Sequence, residues 1–115
     1  MILVDTSVWI DHFSFGNTQL IELLNAGDVL CHPYIIGELA CGNLKNRKEI
    51  LTLLESLPTA LCVSHQEVLQ FIEMKNLMGH GLGYIDVHLL ASAILSNVPL
   101  WTMDKQLNKQ VKALN

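Results

Sequence analysis

The chain reads as an α/β protein, a short central parallel sheet flanked by helices, on three observations. Short apolar runs of β-type composition alternate with longer segments of helical periodicity, the pattern of a parallel sheet wrapped by helices. Half of the 115 residues are apolar, enough to fold one domain, 1–115, around a single core. Acidic residues recur where strand gives way to helix or inside an apolar helix: Asp5, Glu38, Asp86 and Asp104.

The elements follow in chain order. Ile2 to Val4 is a compact strand, and Thr6 or Ser7 can cap the helix after it, whose apolar side is Val8, Trp9, Ile10 and Phe13. Gly16-Asn17-Thr18 breaks the chain before a short helix carrying Leu20, Ile21, Leu23 and Leu24 that ends at Gly27. Asp28 to His32 reads as a second strand, and Pro33 opens a helix carrying Glu38, as proline is tolerated in a first turn. Gly37 and Gly42 in that helix each cost about 1 kcal/mol relative to alanine, which implies a close backbone approach. Asn46 can cap a helix with Ile50, Leu51, Leu53 and Leu54 on its buried side, and Leu61 to Val63 reads as a further short strand. Ser64 and Glu67 form a capping box for a helix through about Met78. Gly79, Gly81 and Gly83 make a flexible connection to a largely apolar helix from Tyr84 to about Asn97, which belongs at the centre of the fold. Pro99 starts a strand from Leu100 to Thr102, and an amphipathic helix closes the chain.

Each of the four acids has an ordinary structural explanation to set beside a functional one. Asp5 and Asp104 follow strands and can cap the next helix; Asp86 can interact with a helix dipole. Asp86 also shares an i, i+3, i+4, i+7 stripe with Leu89, Leu90 and Ala93, while His88, Ser92 and Ser96 lie on another face. A carboxylate above a buried face has a raised pKa unless a cation compensates it. Glu38 lies mid-helix between apolar neighbours, where no local structure needs an acid. Ligands of open parallel sheets collect at the carboxyl ends of strands, where Asp5 is placed. Two carboxylates roughly 4 Å apart repel by about 4 kcal/mol at an effective dielectric of 20, so gathering several calls for a cation. Oxygen-only ligands select Mg²⁺ or Mn²⁺ over zinc.

Other chemistry finds less support. Cys31, Cys41 and Cys62 are odd in number with no Cys-x-x-Cys, and read as buried free thiols. His12, His32, His65, His80 and His88 lack zinc-type spacing and read as surface or half-buried residues. Trp9 and Trp101 read as packing residues. The net charge of −4 argues against a protein that coats nucleic acid electrostatically, but not against an enzyme with a metal-neutralised acidic pocket. Lys105, Lys109 and Lys112 share one helix face, and Lys45, Arg47 and Lys48 cluster; both groups are either solvated surface or a track for phosphates. No apolar run approaches the roughly 20 residues that span a bilayer, and the N-terminus is unlike a signal peptide, so a soluble cytoplasmic protein without membrane contact is expected.

Taken with their surroundings, the four acids give the chain a family likeness. The stretches Ile2-Leu3-Val4-Asp5-Thr6-Ser7-Val8-Trp9, Gly37-Glu38-Leu39, Gly83-Tyr84-Ile85-Asp86-Val87-His88-Leu89-Leu90-Ala91-Ser92-Ala93 and Leu100-Trp101-Thr102-Met103-Asp104-Lys105-Gln106-Leu107 resemble a PIN domain of the VapC-type toxin group, essentially along the whole chain. The resemblance implies a PIN-like α/β/α sandwich and a Mg²⁺- or Mn²⁺-dependent endoribonuclease that cuts structured RNA, of the tRNA or rRNA class, through a metal-activated water. It puts Asp5, Glu38 and Asp86 at the acidic metal positions, Asp104 at a more variable fourth, and the hydroxyls of Thr6 and Ser7 beside the site. Lys105, Lys109 and the Lys45–Lys48 group are expected to meet RNA phosphates. The family also implies a VapB-type antitoxin lying across Val8, Trp9 and Phe13 and the helices around residues 20–54. A homodimer, and operator DNA bound only through the antitoxin, are further implications. The chain leaves little room for the family's last edge strand. Two rivals remain at this stage. One is a PIN-like module that binds without cutting. The other is an aspartyl-phosphate enzyme, for which Asp5-Thr6-Ser7 lacks the second aspartate two positions on that the haloacid-type phosphatases use.

Overall fold

The computed structural model describes residues 1–114. Strands β1 (Ile2–Val4), β2 (Val29–Leu30) and β3 (Leu100–Trp101) form one parallel sheet in the order β2-β1-β3. Leu3 stands opposite Leu30 on one side and Leu100 on the other. Helices α1 (Thr6–Phe15), α2 (Thr18–Asn25), α3 (Pro33–Ala40), α4 (Arg47–Ser56), α5 (His65–Lys75), α6 (Tyr84–Leu95) and α7 (Lys105–Leu114) surround it. The strands are short and Leu3, Val4, Val29, Leu30 and Leu100 are all buried, as a sheet covered on both faces requires. Because β1 lies between its partners, the chain leaves β1 toward β2 and returns to its other edge as β3. The crevice at the carboxyl ends of β1 and β3 is thus a topological switch point, where open α/β sheets place ligands.

The core joins the sheet to the inner faces of the helices. Val8 and Trp9 of α1, Leu20 of α2, Ile35 and Leu39 of α3, Leu54 of α4 and Val68 of α5 are buried in it. α6 is buried from Val87 to Ala93, which bears out its expected central place. The face that carries His88 and Ser92 is buried as well. A helix enclosed on most sides has no solvent face to offer them. His88 instead packs edge-on against Tyr34 and Tyr84, with ring centroids 4.8 and 4.5 Å away. His32 is equally buried, and its Nδ1 accepts the Tyr34 amide at 3.0 Å as the N-cap of α3. Neither histidine is the surface or half-buried residue the sequence suggested. Trp9 is a core residue, as expected.

Several local expectations are met and others are displaced. The capping box forms, with Glu67 N donating to Ser64 Oγ at 3.1 Å and Ser64 N to Glu67 Oε1 at 2.9 Å. The strand expected at 61–63 is instead a single parallel bridge between Cys31 and Thr59. Leu61 is exposed and its amide donates to Ser96 Oγ, so apolar composition there did not buy a ladder. Asn46 stands before α4 in the left-handed region, at φ 53°, and makes no side-chain cap. A Cβ on Gly37 would meet nothing within 4 Å, so no close approach explains that glycine. Gly42 falls beyond α3, and a Cβ there would make only an ordinary 3.4 Å contact with Leu39 O. No helix among the described residues is long and apolar enough to cross a membrane.

Candidate active site

The switch-point crevice is built by the ends of β1 and β3. Asp5 N donates to Trp101 O at 2.9 Å, locking the two strand exits together. The Asp5 carboxylate is buried, and its hydrogen bonds fall on one oxygen. Oδ2 accepts from Ser7 Oγ at 2.7 Å, Thr102 Oγ1 at 2.7 Å and, at 3.4 Å, Ser7 N. Thr102 Oγ1 in turn accepts the Asp104 amide at 3.0 Å, and Ser7 Oγ accepts the Met103 amide at 2.9 Å. Two hydroxyls thus tie the loop carrying Asp104 to the carboxylate of Asp5. Thr102 is the residue that sequence reasoning missed. The sequence shows only a polar residue at the end of an apolar strand, two residues before an acid; its burial and its bond to Asp5 come from the fold.

Three of the acids sit at helix N-termini. Asp5 caps α1, the work assigned to Thr6 or Ser7 from sequence. Asp104 caps α7, its Oδ1 accepting the Leu107 amide at 3.0 Å. Asp86 lies in the first turn of α6, where its Oδ2 accepts the Gly83 amide at 3.0 Å. Three positive helix ends therefore face gathered negative charge. The structural and functional explanations are compatible, because a cap needs one carboxylate oxygen and leaves the other. Glu38 comes from α3, and its Oε1 accepts from Thr6 Oγ1 at 2.7 Å. Among the described residues, Asp5 Oδ1, Glu38 Oε2, Asp86 Oδ1 and Asp104 Oδ2 accept no protein hydrogen bond.

The charges feel one another. Burial pushes the Asp86 carboxyl above its ordinary value, the Gly83 amide pulls it back, and the negative charges of Asp5 and Asp104 push it up again. That is the raised value expected from its stripe. Asp86 feels the charges of Asp5 and Asp104, while Glu38 is held separately by Thr6, the residue that follows Asp5. Both hydroxyls that the resemblance puts beside the site, expected there to meet substrate, are taken up within the protein: Thr6 holds Glu38, and Ser7 holds Asp5 and the Met103 amide. Of the expected phosphate-binding lysines, Lys105 and Lys109 are exposed on α7, which Asp104 caps; Lys45, Arg47 and Lys48 are exposed around the start of α4.

Among the described residues, no three His, Cys, Asp or Glu side chains come close enough together to hold one ion between them. An all-oxygen set with one free oxygen on each of four carboxylates still suits a hard cation. Mg²⁺ keeps several waters and is usually held by one or two carboxylates with substrate phosphates, not by an all-protein cage.

The sequence matches the PIN domain family over residues 2–112. It is also 46% identical over 108 residues to Ribonuclease VapC32 of Mycobacterium tuberculosis, in two strains, covering 93% of this chain and 87% of the relative. The chain is a PIN domain of the VapC family. Among the described residues, the seven helices and small parallel sheet are the α/β/α arrangement that this membership implies. The four acids come from β1's exit, α3, α6 and β3's exit, separated in sequence.

Proposed function

We propose that this PIN domain is an endoribonuclease toxin of a type II toxin–antitoxin pair, and that Asp5, Glu38, Asp86 and Asp104 hold one or two Mg²⁺ or Mn²⁺ ions. The observation that supports the reading is that each of the four acids commits one oxygen to the protein and leaves one free, with Asp86 raised by the charges of Asp5 and Asp104. The name of the relative, a ribonuclease, adds the substrate class. A bound divalent cation supplies neutralisation of the scissile phosphate and a more acidic water. The chain's residues do the positioning. Ser7 and Thr102 fix the Asp5 rotamer, Thr6 fixes Glu38, and the Gly83 amide fixes Asp86. Asp104 would complete the ion's shell or orient the attacking water. Water adds to phosphorus as the bond to the leaving 3′-oxygen breaks, so the products carry a 5′-phosphate and a 3′-hydroxyl. The RNA 2′-hydroxyl takes no part, and products ending in a cyclic phosphate would contradict this chemistry.

The substrate is structured RNA of the tRNA or rRNA class, and the inhibitor a VapB-type antitoxin. Val8 and Trp9 are buried, so they cannot form its docking surface. Phe13 can: it lines a cleft of about 630 Å³ with Ser14, Asn43, Leu44, Lys45 and Ile50. An antitoxin segment with an apolar anchor and acidic flanks fits that lining. A homodimer, with operator DNA bound only through the antitoxin, completes the proposal. Mapping RNA 5′-ends in cells after induced expression of wild type and of Asp5→Asn tests it. Discrete new ends carrying 5′-phosphates should appear with wild type only; the same ends with both proteins would remove Asp5 from the reaction.

A further inference from the structure

The loop after α5 and the last helix enclose a polar cleft of about 310 Å³. Gly79, His80 and Gly81 form one wall, and Gln106, Lys109 and Gln110 of α7 the other. None of these residues holds any of the four acids. Their chemistry selects an anion: one ammonium, an imidazole, amide side chains and loop peptides, with no carboxylate in the lining. Gly79 and Gly81 stand at φ 75° and 76°, a conformation that glycine adopts without penalty. Left-handed turns of this kind direct peptide N–H groups into anion-binding concavities. A Cβ on Gly81 would lie 3.5 Å from Gln106 Cγ, so the loop packs directly on the helix that supplies Lys109.

The position of the cleft gives the anion an identity. One wall runs on to Gly83, whose amide holds Asp86; the other belongs to the helix capped by Asp104. Each wall thus lies two residues along the chain from one of those contacts, Gly81 from Gly83 and Gln106 from Asp104. We propose that it is the subsite for a phosphate of the RNA strand next to the one being cut, with Lys109 as its charge partner. This assignment rests on the ribonuclease reading above. It also separates lysines that the sequence presents as equivalent. Lys105, Lys109 and Lys112 share a helix face by spacing, but of the three it is Lys109 that lines the cleft.

The test uses the full chain carrying Asp5→Asn, so that RNA is bound but not cut, with fluorescently labelled bulk tRNA as probe over a range of KCl. Adding Lys109→Glu should weaken binding by roughly tenfold and lower the slope of log affinity against log salt by about 1. Gln106→Ala should weaken it severalfold, and Lys112→Glu by no more than about twofold, since that lysine lies outside the cleft. In a parallel titration with inorganic phosphate, the Gly79 and Gly81 amide resonances should move, and Lys109→Glu should abolish the movement. Equal losses from Lys109→Glu and Lys112→Glu would reveal only a diffuse positive field and overturn the subsite. So would RNA binding indifferent to Lys109, in which case the ribonuclease reading stands. A parent protein that binds no tRNA at any salt would remove both.

Discussion

At the scale of single residues, a carboxylate with two oxygens can serve the fold and the reaction together. Asp5 gives Oδ2 to Ser7 and Thr102 and keeps Oδ1. Asp5→Asn keeps the size of the side chain but removes the charge, so RNA cleavage should fall to background on a denaturing gel. Its metal-free melting temperature should equal or exceed that of wild type, because repulsion from Asp86 is relieved. Thr102→Val is the sharper test of positioning. It removes the hydroxyl that joins Asp5 to the Asp104 amide, at a cost of about 1–3 kcal/mol for the groups left unpaired. The expected result is a 10- to 100-fold fall in kcat with little change in KM, as for partners that orient metal ligands. An unchanged kcat would show that Asp5 needs no such support. Thr102 went unread in the sequence because its partner is 97 residues away and only the β1–β3 pairing brings them together.

At the scale of elements, the alternation of apolar runs and helical periodicity was legible because burial sets both periods. The third-strand expectation at 61–63 failed because apolar composition cannot say whether a segment finds a ladder partner; the chain pairs earlier, at Thr59. Gly37 has no packing reason in α3, so Gly37→Ala should raise stability by about 1 kcal/mol, measured by urea denaturation. α3 and α6 also bring two titrations of opposite sign. Burial and the neighbouring His88 push His32 down to about 4 from 6.5. Between those values the unfolded chain takes up a proton that the native protein refuses, so this group makes stability fall as pH falls from 6.5 toward 4. Asp86 is raised, so its native form holds a proton more tightly than the unfolded chain, favouring the fold at acid pH. That contribution is lost as pH rises from 3.8 through the raised value. Melting temperatures from pH 4 to 7 should therefore show a flatter acid limb in His32→Asn, which can keep the α3 cap. Asp86→Asn should show a steeper one. Parallel curves for all three proteins would deny both assignments.

At the scale of the whole molecule, the strand order puts the crevice where separated segments meet, and family membership accounts for why they carry acids. The acids themselves were visible in the sequence as charges at strand exits and in an apolar helix. Their hydrogen bonds were not, nor was the polar cleft beside α7, since both depend on contacts between distant segments. The half-buried apolar groups Phe13 and Leu44 at the cleft near α4 were likewise invisible until Val8 and Trp9 proved to be core. The proposed function rests on the four acids sharing a cation. The most direct check is a Mn²⁺ titration followed by electron paramagnetic resonance, comparing wild type with Asp5→Asn and Asp86→Asn. Wild type should take up one or two ions, and each variant should bind at least about tenfold more weakly, the usual penalty for disturbing a metal site. Equal uptake by all three proteins, or none by wild type in the presence of RNA, would contradict the account.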